Sequence, residues 1–176
     1  KNLTLVVVME ADVGFNAIDF RGPEKSAQQI FQVSGRSGRH NDKGEIILQT
    51  YDTKNSTLLS LIENGYKSFA ENELYIRKKM QFPPFRPMAI IRADAKSALT
   101  AETFLSRINH KLSDCETLGP APALISKISN RYRFQLMVLA DNRKRLDKAL
   151  IRVRTSYKKK GSTGLRWSID VDPLEI

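Results

Sequence analysis

Cysteine is nearly absent from this 176-residue sequence, which contains only Cys115. A single thiol forms no intramolecular disulfide and builds no cysteine-based zinc site, so the composition favours a reducing cytoplasm. His40 and His110 lack recognisable partners, and Asp170 and Asp172 have no third ligand near them in the sequence. We therefore expect no metal site in this chain, strand-end roles for the two aspartates, and an inert, partly buried thiol at Cys115.

Long hydrophobic runs are also missing. The longest, LTLVVVM from Leu3 to Met9, is much too short to cross a bilayer, and no basic segment precedes it as in a signal peptide. The run is typical of a buried strand, and we expect no membrane association. Two catalytic signatures are absent as well, the phosphate loop G-x-x-x-x-G-K-[ST] and a D-E-x-H-type motif, so this chain alone is not expected to hydrolyse ATP.

Positive charge, by contrast, is abundant. The 29 Lys and Arg exceed the 19 Asp and Glu, which gives a net charge of +10. Residues 1–80 hold 11 basic and 10 acidic residues, and residues 81–176 hold 18 and 9, so the balance moves from +1 to +9. This excess favours a polyanionic partner. The change falls at QFPPFRP, residues 81–87, whose prolines interrupt helices and central strands, and we predict a domain boundary there.

The first part has a βαβ pattern. Strands are predicted for Leu3–Glu10 and Glu45–Thr50, with a helix of about Glu24–Ser34 between them. Both strands are nearly continuous apolar runs, which is typical of a parallel sheet covered by helices on both faces. One further helix is predicted to end near Gly65, and FAENELYIRKKM, residues 69–80, predicts another.

The second part has the order βαββαβ. Its predicted elements are the strand MAIIRADA, a helix with apolar positions from Ala101 to Leu112, the run TLGPAPALISKISN, the strand RYRFQLMVLA, a helix over residues 142–157 and the strand LRWSIDV. This order is typical of the ferredoxin-like fold, in which two helices cover one face of a four-stranded antiparallel sheet.

The strand RYRFQLMV alternates between two kinds of side chain. Tyr132 and Phe134 fall on one face, and Arg131 and Arg133 on the other. We expect the aromatic face to meet the helices, and Trp167 to join this core. The alternative is an RNA-recognition sheet with exposed aromatics that stack on bases, but the glycines typical of that motif are absent.

Basic residues near the end of the sequence are candidates for phosphate contacts. The helix over residues 142–157 carries a basic row that runs into Lys158–Lys160. A charged helix face is often only solvated, yet each phosphate contact would strengthen nucleic-acid binding. The predicted DNA-contacting residues are Lys127, Arg131, Arg133, Lys158, Lys159 and Lys160.

Two arginines lie three residues apart in QVSGRSGRH, residues 32–40. Gly35 and Gly38 relax the backbone where the predicted helix ends, so Arg36 and Arg39 project from a turn at the edge of a parallel sheet. Guanidinium groups there suit phosphate oxygens, because bidentate and permanently charged donors match that geometry. The spacing alone also fits a solvated basic turn.

The stretch QVSGRSGR resembles Q-x-x-G-R-x-G-R, the sixth conserved motif of superfamily 2 helicases, in their second RecA-like lobe. Several other segments, among them NLTLVVVMEAD, IDFRGPEKSAQQIF, YKSFAENEL, RKKMQFPPF, LGPAPALISKISNRYRFQLMV and WSIDVDPLE, are similar to the bacterial primosomal protein N′ family of replication-restart helicases. The resemblance extends along the whole chain. The loop Val13–Asn16 matches nothing in the family with certainty and is assigned no role.

This resemblance implies a fold and a function. Residues 1–80 would be the end of a RecA-like helicase lobe 2, residues 81–87 a linker, and residues 88–176 the family's C-terminal domain. The whole protein would be an ATP-dependent 3′-to-5′ DNA helicase that recognises stalled or branched forks and restarts replication by primosome assembly. It would be cytoplasmic and associated with the nucleoid.

The resemblance also implies site residues and partners. Arg39, with Arg36, would reach the γ-phosphate of ATP, while Gln32, Gly35 and Gly38 complete the nucleotide-binding motif. Mg²⁺ and zinc would be held by residues outside this chain. The implied partners are branched and single-stranded DNA, other primosome proteins, and single-stranded DNA-binding protein, whose acidic tail would contact Arg143 and Arg145. Two other classes of function stay open, a stand-alone nucleic-acid-binding module and a protein-interaction scaffold.

Overall fold

The computed structural model describes residues 4–17, 19–35, 44–157 and 164–174. The chain divides into two compact units between Ile76 and Arg77. Among the described residues, no helix combines the length and the apolar character needed to cross a membrane.

The first unit is built on a parallel pair of strands. Its elements are β1 (Leu5–Val8), α1 (Gly22–Ser34), β2 (Glu45–Leu48) and α2 (Ser56–Lys79), the last of which runs across the division into the second unit. β1 and β2 pair in parallel from Leu5 opposite Glu45 to Val8 opposite Leu48. The predicted βαβ pattern is therefore confirmed, with strands shorter than predicted.

One face of this small sheet packs and the other is exposed. Val8 and Leu48 contact a cluster of buried apolar side chains from α1, α2 and the loop after β1, which are Ala11, Ala27, Ile30, Leu58, Leu61 and Phe69. Leu5, Val7 and Ile47 point the other way and are about half exposed. The expectation that helices cover both faces is thus wrong for the described part of this unit, where the packed elements lie on one side.

Glycine marks the break within α2. Gly65 has φ 75° and ψ 176°, which are not helical values. α2 therefore consists of two helical segments that join at a kink at Gly65. Only glycine adopts this conformation readily, because it has no Cβ. The helix end predicted at Gly65 is confirmed in this sense.

The second unit is a split βαβ arrangement. Its elements are β3 (Met88–Ala95), α3 (Ala98–Asn109), β4 (Glu116–Ile128), β5 (Arg131–Leu139), α4 (Arg143–Ser156) and β6 (Arg166–Val171). They form a four-stranded sheet with the order β4-β5-β3-β6, in which every pairing is antiparallel. This is the predicted order βαββαβ with the strand arrangement of a ferredoxin-like domain.

The core of this unit lies between one face of the sheet and the two helices α3 and α4. Every second residue of β3 and β5, including Ile91 and Leu136, packs against buried helix positions such as Leu105 and Leu146. Strand alternation places these side chains on the same face. We name this the helix face, and the opposite face of the sheet the open face.

The aromatic side chains join the helix face, as predicted. Phe134 is buried, and Tyr132 and Trp167 pack against the core. The Phe104 ring centroid lies 5.2 Å from that of Tyr157 and 5.8 Å from that of Trp167. The alternative of an RNA-recognition sheet with exposed strand aromatics is therefore wrong.

The long strand β4 corresponds to the run TLGPAPALISKISN, which was predicted as the second strand of the order βαββαβ. It forms an edge strand of 13 residues, and its pairing with β5 shifts register between Leu118 and Ala121 and again between Pro122 and Lys127. Proline is tolerated there because an edge strand leaves one row of backbone groups unpaired. Ser129 and Asn130, with φ of 48° and 59°, close the hairpin in a two-residue turn.

The segment predicted as a linker, residues 81–87, belongs to the second unit. Pro83 is buried, and the Pro87 carbonyl accepts a hydrogen bond from the Ala140 N–H at 3.2 Å. Arg86 donates to the Glu116 carboxylate at 2.5 Å. Proline interrupts regular structure here without separating the segment from the neighbouring sheet.

Candidate functional site

The motif that carries the two arginines begins at the end of α1. Gly35 forms the cap, and its N–H donates to the Phe31 carbonyl at 3.1 Å. Its φ of −65° is helical, so the conformational freedom expected of this glycine is not used. Arg36, Gly38 and Arg39 lie outside the described residues.

Gln32 is exposed on the last turns of α1. It lines an open groove of about 660 Å³ between α1 and the end of β1, together with Ser26 and Gln29 of the same helix. The groove follows the carboxyl end of a parallel strand, which is where α/β sheets place their ligands. The amide of Gln32 is therefore available to a ligand, and the residues GRSGR begin three positions later in the sequence.

Asp12 holds the loop after β1 in place. This residue is 4% exposed, and its two carboxylate oxygens accept the backbone N–H groups of Tyr51 and Asp52, both at 3.3 Å. Desolvation by burial acts to raise the pKa of Asp12, but these hydrogen bonds outweigh it and lower the pKa below its usual value. This carboxylate was not predicted from the sequence, although an aspartate soon after an apolar strand was a signal for it.

The predicted DNA-contacting residues of the sheet do not lie together. Lys127 is the register partner of Tyr132 on the helix face, and its Nζ lies 3.3 Å from the Tyr132 hydroxyl and 4.7 Å from the ring centroid. Arg131 and Arg133 alternate with Tyr132 and therefore point to the open face. Lys158, Lys159 and Lys160 lie outside the described residues.

The Arg131 side chain is held by contacts within the second unit. It forms an ion pair with the Asp94 carboxylate and donates to the carbonyls of Asp94 at 2.9 Å and Gly164 at 2.7 Å. These contacts tie β5 to β3 and to the start of the last strand. Arg133, two residues away, has no hydrogen-bond or ion-pair partner within the described part of the chain.

The candidate partner-binding residues on α4 are also engaged by carboxylates. Arg143 donates to Asp172 at 2.5 Å and lies 3.2 Å from Asp147, and the hydrogen bond to Asp172 raises the pKa of Arg143 above its usual value. Arg145 donates to Asp141 at 2.6 Å. An acidic partner would have to compete with these carboxylates.

Arginines neutralise most of the acidic groups in the second unit. Seven of the eight described acidic residues between 81 and 174 form ion pairs, and Glu102 is the exception. Their six arginine partners are Arg86, Arg92, Arg131, Arg143, Arg145 and Arg152. Four arginines have no such partner within residues 81–157 and 164–174, namely Arg107, Arg133, Arg154 and Arg166.

No metal centre is formed by the described residues, where no group of three His, Cys, Asp or Glu lies close enough to hold an ion. Asp170 and Asp172 instead accept from Arg92 and Arg143. Burial raises the pKa of the Cys115 thiol, with Asp114 adding to the effect, so the thiol is a poor nucleophile at neutral pH.

The open face contains basic residues that sequence analysis missed. Arg92 lies on β3 and Arg166 on β6, beside the predicted Arg133 of β5. These side chains surround one recess of about 190 Å³. Arg92 and Arg166 are more than 70 positions apart in sequence, and such residues carry no local signal of proximity, since it depends on the strand register.

Comparison with known proteins places this chain in a family. Residues 78–174 match the family described as the primosomal protein N C-terminal domain. The chain is similar to the replication restart protein PriA of Haemophilus influenzae, with 37% identity over 99% of this chain and 24% of that protein. The corresponding protein of Bacillus subtilis is 33% identical over 98% of this chain and 22% of its own length.

A third relative, the replication restart protein PriA of Rickettsia conorii, is 39% identical over 85% of this chain and 23% of that protein. The chain thus spans about a quarter of the length of the curated relatives that it matches. Because the family match covers more than half of the sequence, the chain belongs to the primosomal protein N family, whose C-terminal domain is matched by residues 78–174.

Proposed function

We propose that this chain acts as the C-terminal part of an ATP-dependent 3′-to-5′ DNA helicase that recognises stalled or branched forks and restarts replication by primosome assembly. The observation that carries the proposal is the family match over residues 78–174, together with relatives named replication restart proteins that align with nearly the whole chain. The protein would work in the cytoplasm, in association with the nucleoid.

The first unit would be the end of a RecA-like helicase lobe. Its parallel strands joined through α1, and the position of Gln32 beside a groove at the carboxyl end of β1, support this assignment. In this role Arg39, with Arg36, stabilises the charge that develops on the γ-phosphate of ATP in the transition state, while Gln32, Gly35 and Gly38 complete the motif.

ATP, Mg²⁺ and zinc would not be held by this chain alone. The sequence contains no phosphate loop, and a single cysteine with no metal-binding cluster among the described residues does not fit a zinc site. Hydrolysis of ATP would need the phosphate-binding and Mg²⁺-binding groups of another lobe, and any zinc would be bound outside this chain.

The second unit would contact DNA and protein partners. Its net positive charge, and the neutralisation of its acidic groups by only six arginines, leave lysines and the open-face arginine Arg133 for phosphate contacts. Branched and single-stranded DNA are the expected nucleic-acid partners, and single-stranded DNA-binding protein and other primosome proteins the expected protein partners.

The ATPase role is tested by Arg39→Ala in the full-length protein that contains this chain. DNA-stimulated ATP turnover should fall about a thousandfold, because an arginine finger contributes at least that much to phosphoryl transfer. DNA affinity should change little. Arg107→Ala is the matched control, since it removes an arginine that is exposed on α3 and has no ion-pair partner in the described part of the chain. Wild-type turnover by the Arg39→Ala variant would exclude the finger role.

The DNA role is tested by replacing Lys158, Lys159 and Lys160 together with alanine in the 176-residue chain. Affinity for forked and single-stranded DNA should fall, and its dependence on salt should become less steep, because up to three phosphate contacts are lost. A titration at several salt concentrations measures both quantities. An unchanged affinity and salt dependence would remove these lysines from the DNA site.

A further inference from the structure

Three arginines from three different strands converge on the open face of the second sheet. Asp94 of β3 pairs in register with Arg133 of β5 on one side and with Arg166 of β6 on the other. The Cα atoms of the two arginines are therefore about 10 Å apart, twice the spacing of paired antiparallel residues. Both line the recess of about 190 Å³, as do Arg92 and Ser168. We call these four residues the arginine notch.

Positive charges outnumber negative charges around the notch. Arg92 donates to Asp170 at 2.6 Å, and Arg131 is paired with Asp94, so each acidic group on this part of the face already has an arginine. Arg133 and Arg166 have no such partner among residues 4–17, 19–35, 44–157 and 164–174. The four arginines and two aspartates leave a local charge of +2 on the open face.

The available chemistry favours phosphate over bases. Guanidinium forks and a serine hydroxyl donate hydrogen bonds to phosphate oxygens, and the planar fork matches that geometry with two parallel bonds. The aromatic residues of β5 and β6 face the helices instead, at Tyr132, Phe134 and Trp167. In the described strands β3, β5 and β6, no aromatic side chain shares the face of the notch.

We propose that the arginine notch binds a backbone phosphate of a DNA strand that crosses the open face, with Arg133 and Arg166 as the principal donors. This inference rests on the proposed DNA-binding function and adds a defined site to it. Because the contact is with the phosphate and not with the base, binding at the notch is independent of sequence.

The test compares two double variants of the 176-residue chain that remove the same charge. Arg133→Gln with Arg166→Gln removes both principal donors of the notch. Arg107→Gln with Arg154→Gln removes two exposed helix arginines that also have no ion-pair partner in the described residues. Fluorescein-labelled polythymidine and a mixed-sequence single strand of equal length are titrated with each protein at several salt concentrations.

The notch variant should bind both strands about tenfold more weakly, with the slope of log affinity against log salt reduced by about 0.7 for each lost phosphate contact. The control variant should change both quantities much less. Arg133→Lys with Arg166→Lys should recover part of the affinity, because it restores charge without the fork. An equal loss in the notch and control variants would overturn the proposal, since net charge alone would explain it.

Other outcomes separate this inference from the function on which it rests. Wild-type affinity in the glutamine notch variant, with weakened binding in the variant lacking Lys158–Lys160, overturns the notch and retains DNA binding. No measurable DNA binding by the unmodified chain overturns both. If the glutamine notch variant no longer binds an acidic peptide but still binds DNA like the wild type, the phosphate assignment is overturned in favour of a carboxylate ligand. An unchanged unfolding midpoint in each variant shows that the fold is retained.

Discussion

The two sheets of this chain bury their strands to very different extents. In the second unit, β3 has six buried residues among its eight, including Met88, Ala89 and Ile91. In the first unit, no residue of β1 or β2 is fully buried. β3 pairs on both sides, with β5 and β6, and packs against helices, whereas β1 and β2 each pair with one strand in the described part of the chain.

Similar apolar strand sequences therefore reach different degrees of burial according to the elements that pack beside them. LVVV of β1 is as apolar as much of MAIIRADA, yet Leu5 and Val7 remain 46% and 51% exposed. A two-stranded sheet is marginally stable by itself, and an exposed strand edge invites association. The second unit should therefore be the independently stable part of this chain.

Separate expression of the two units should produce the clearest contrast in stability. Residues 77–176 alone should fold and unfold cooperatively, because a complete sheet and two helices close their core. Residues 1–76 alone should show no cooperative transition, since their sheet leaves Leu5, Val7 and Ile47 exposed. Thermal circular dichroism and amide proton spectra of both pieces measure this. A dispersed spectrum from residues 1–76 would contradict this prediction, because it would show that the first unit folds by itself.

Buried apolar side chains of α4 should contribute far more to the stability of the second unit than exposed ones. Leu146 is fully buried on α4, and Ile151 on the same helix is 62% exposed. Leu146→Ala should lower the free energy of unfolding by about 2–5 kcal/mol, because it leaves a cavity in the core. Ile151→Ala should change it by less than about 0.5 kcal/mol. Urea denaturation of residues 77–176 provides both values, and equal losses would contradict the assigned core.

Local patterns predicted most elements of the fold. The strand β3 was predicted with the bounds that it has, and the two helices of the second unit were located by apolar positions three and four residues apart. The edge strand β4 was predicted only as a run in the order βαββαβ and without strand bounds, because Pro120 and Pro122 interrupt its pattern, and its register shifts twice along β5. Such irregular pairing depends on the neighbouring strand more than on local sequence.

The candidate site was less predictable than the fold. Sequence alone showed a row of basic residues on α4. Asp141, which pairs with Arg145, is only four residues away, but Asp114, which pairs with Arg152, is distant in sequence. Arg166 of the notch is likewise distant in sequence from Arg133. The two residues lie near each other because both pair in register with Asp94. Net charge is therefore readable from a sequence, whereas the distribution of unpaired charge is not.

Two arginines on β5 should differ in their contribution to stability, because one is paired with a carboxylate and the other is not. Arg131 is bound to Asp94 and to the Gly164 carbonyl, and Arg133 has no partner in the described residues. Arg131→Gln should lower the free energy of unfolding of residues 77–176 by about 1–3 kcal/mol, because Asp94 loses its charged donor. Arg133→Gln should lower it by less than about 0.5 kcal/mol. Equal losses, measured by urea denaturation, would show that Arg133 also has a structural role.

A surface ion pair at α4 should make a small and pH-dependent contribution to stability. Arg152 on α4 donates to Asp114, and this hydrogen bond lowers the pKa of Asp114 below its ordinary value of 3.8. Since the folded pKa is lower than the unfolded one, the pair stabilises the fold at pH values above 3.8, and this contribution is lost as the pH falls through the folded pKa. Asp114→Asn should therefore lower the free energy of unfolding at neutral pH by less than about 1 kcal/mol, because both side chains are partly exposed and screened by solvent. The difference in free energy of unfolding between wild type and variant should shrink on acidification and with added salt. Urea denaturation at several pH values measures this difference. A difference that grows on acidification would mean that Asp114 stabilises the fold in its protonated form.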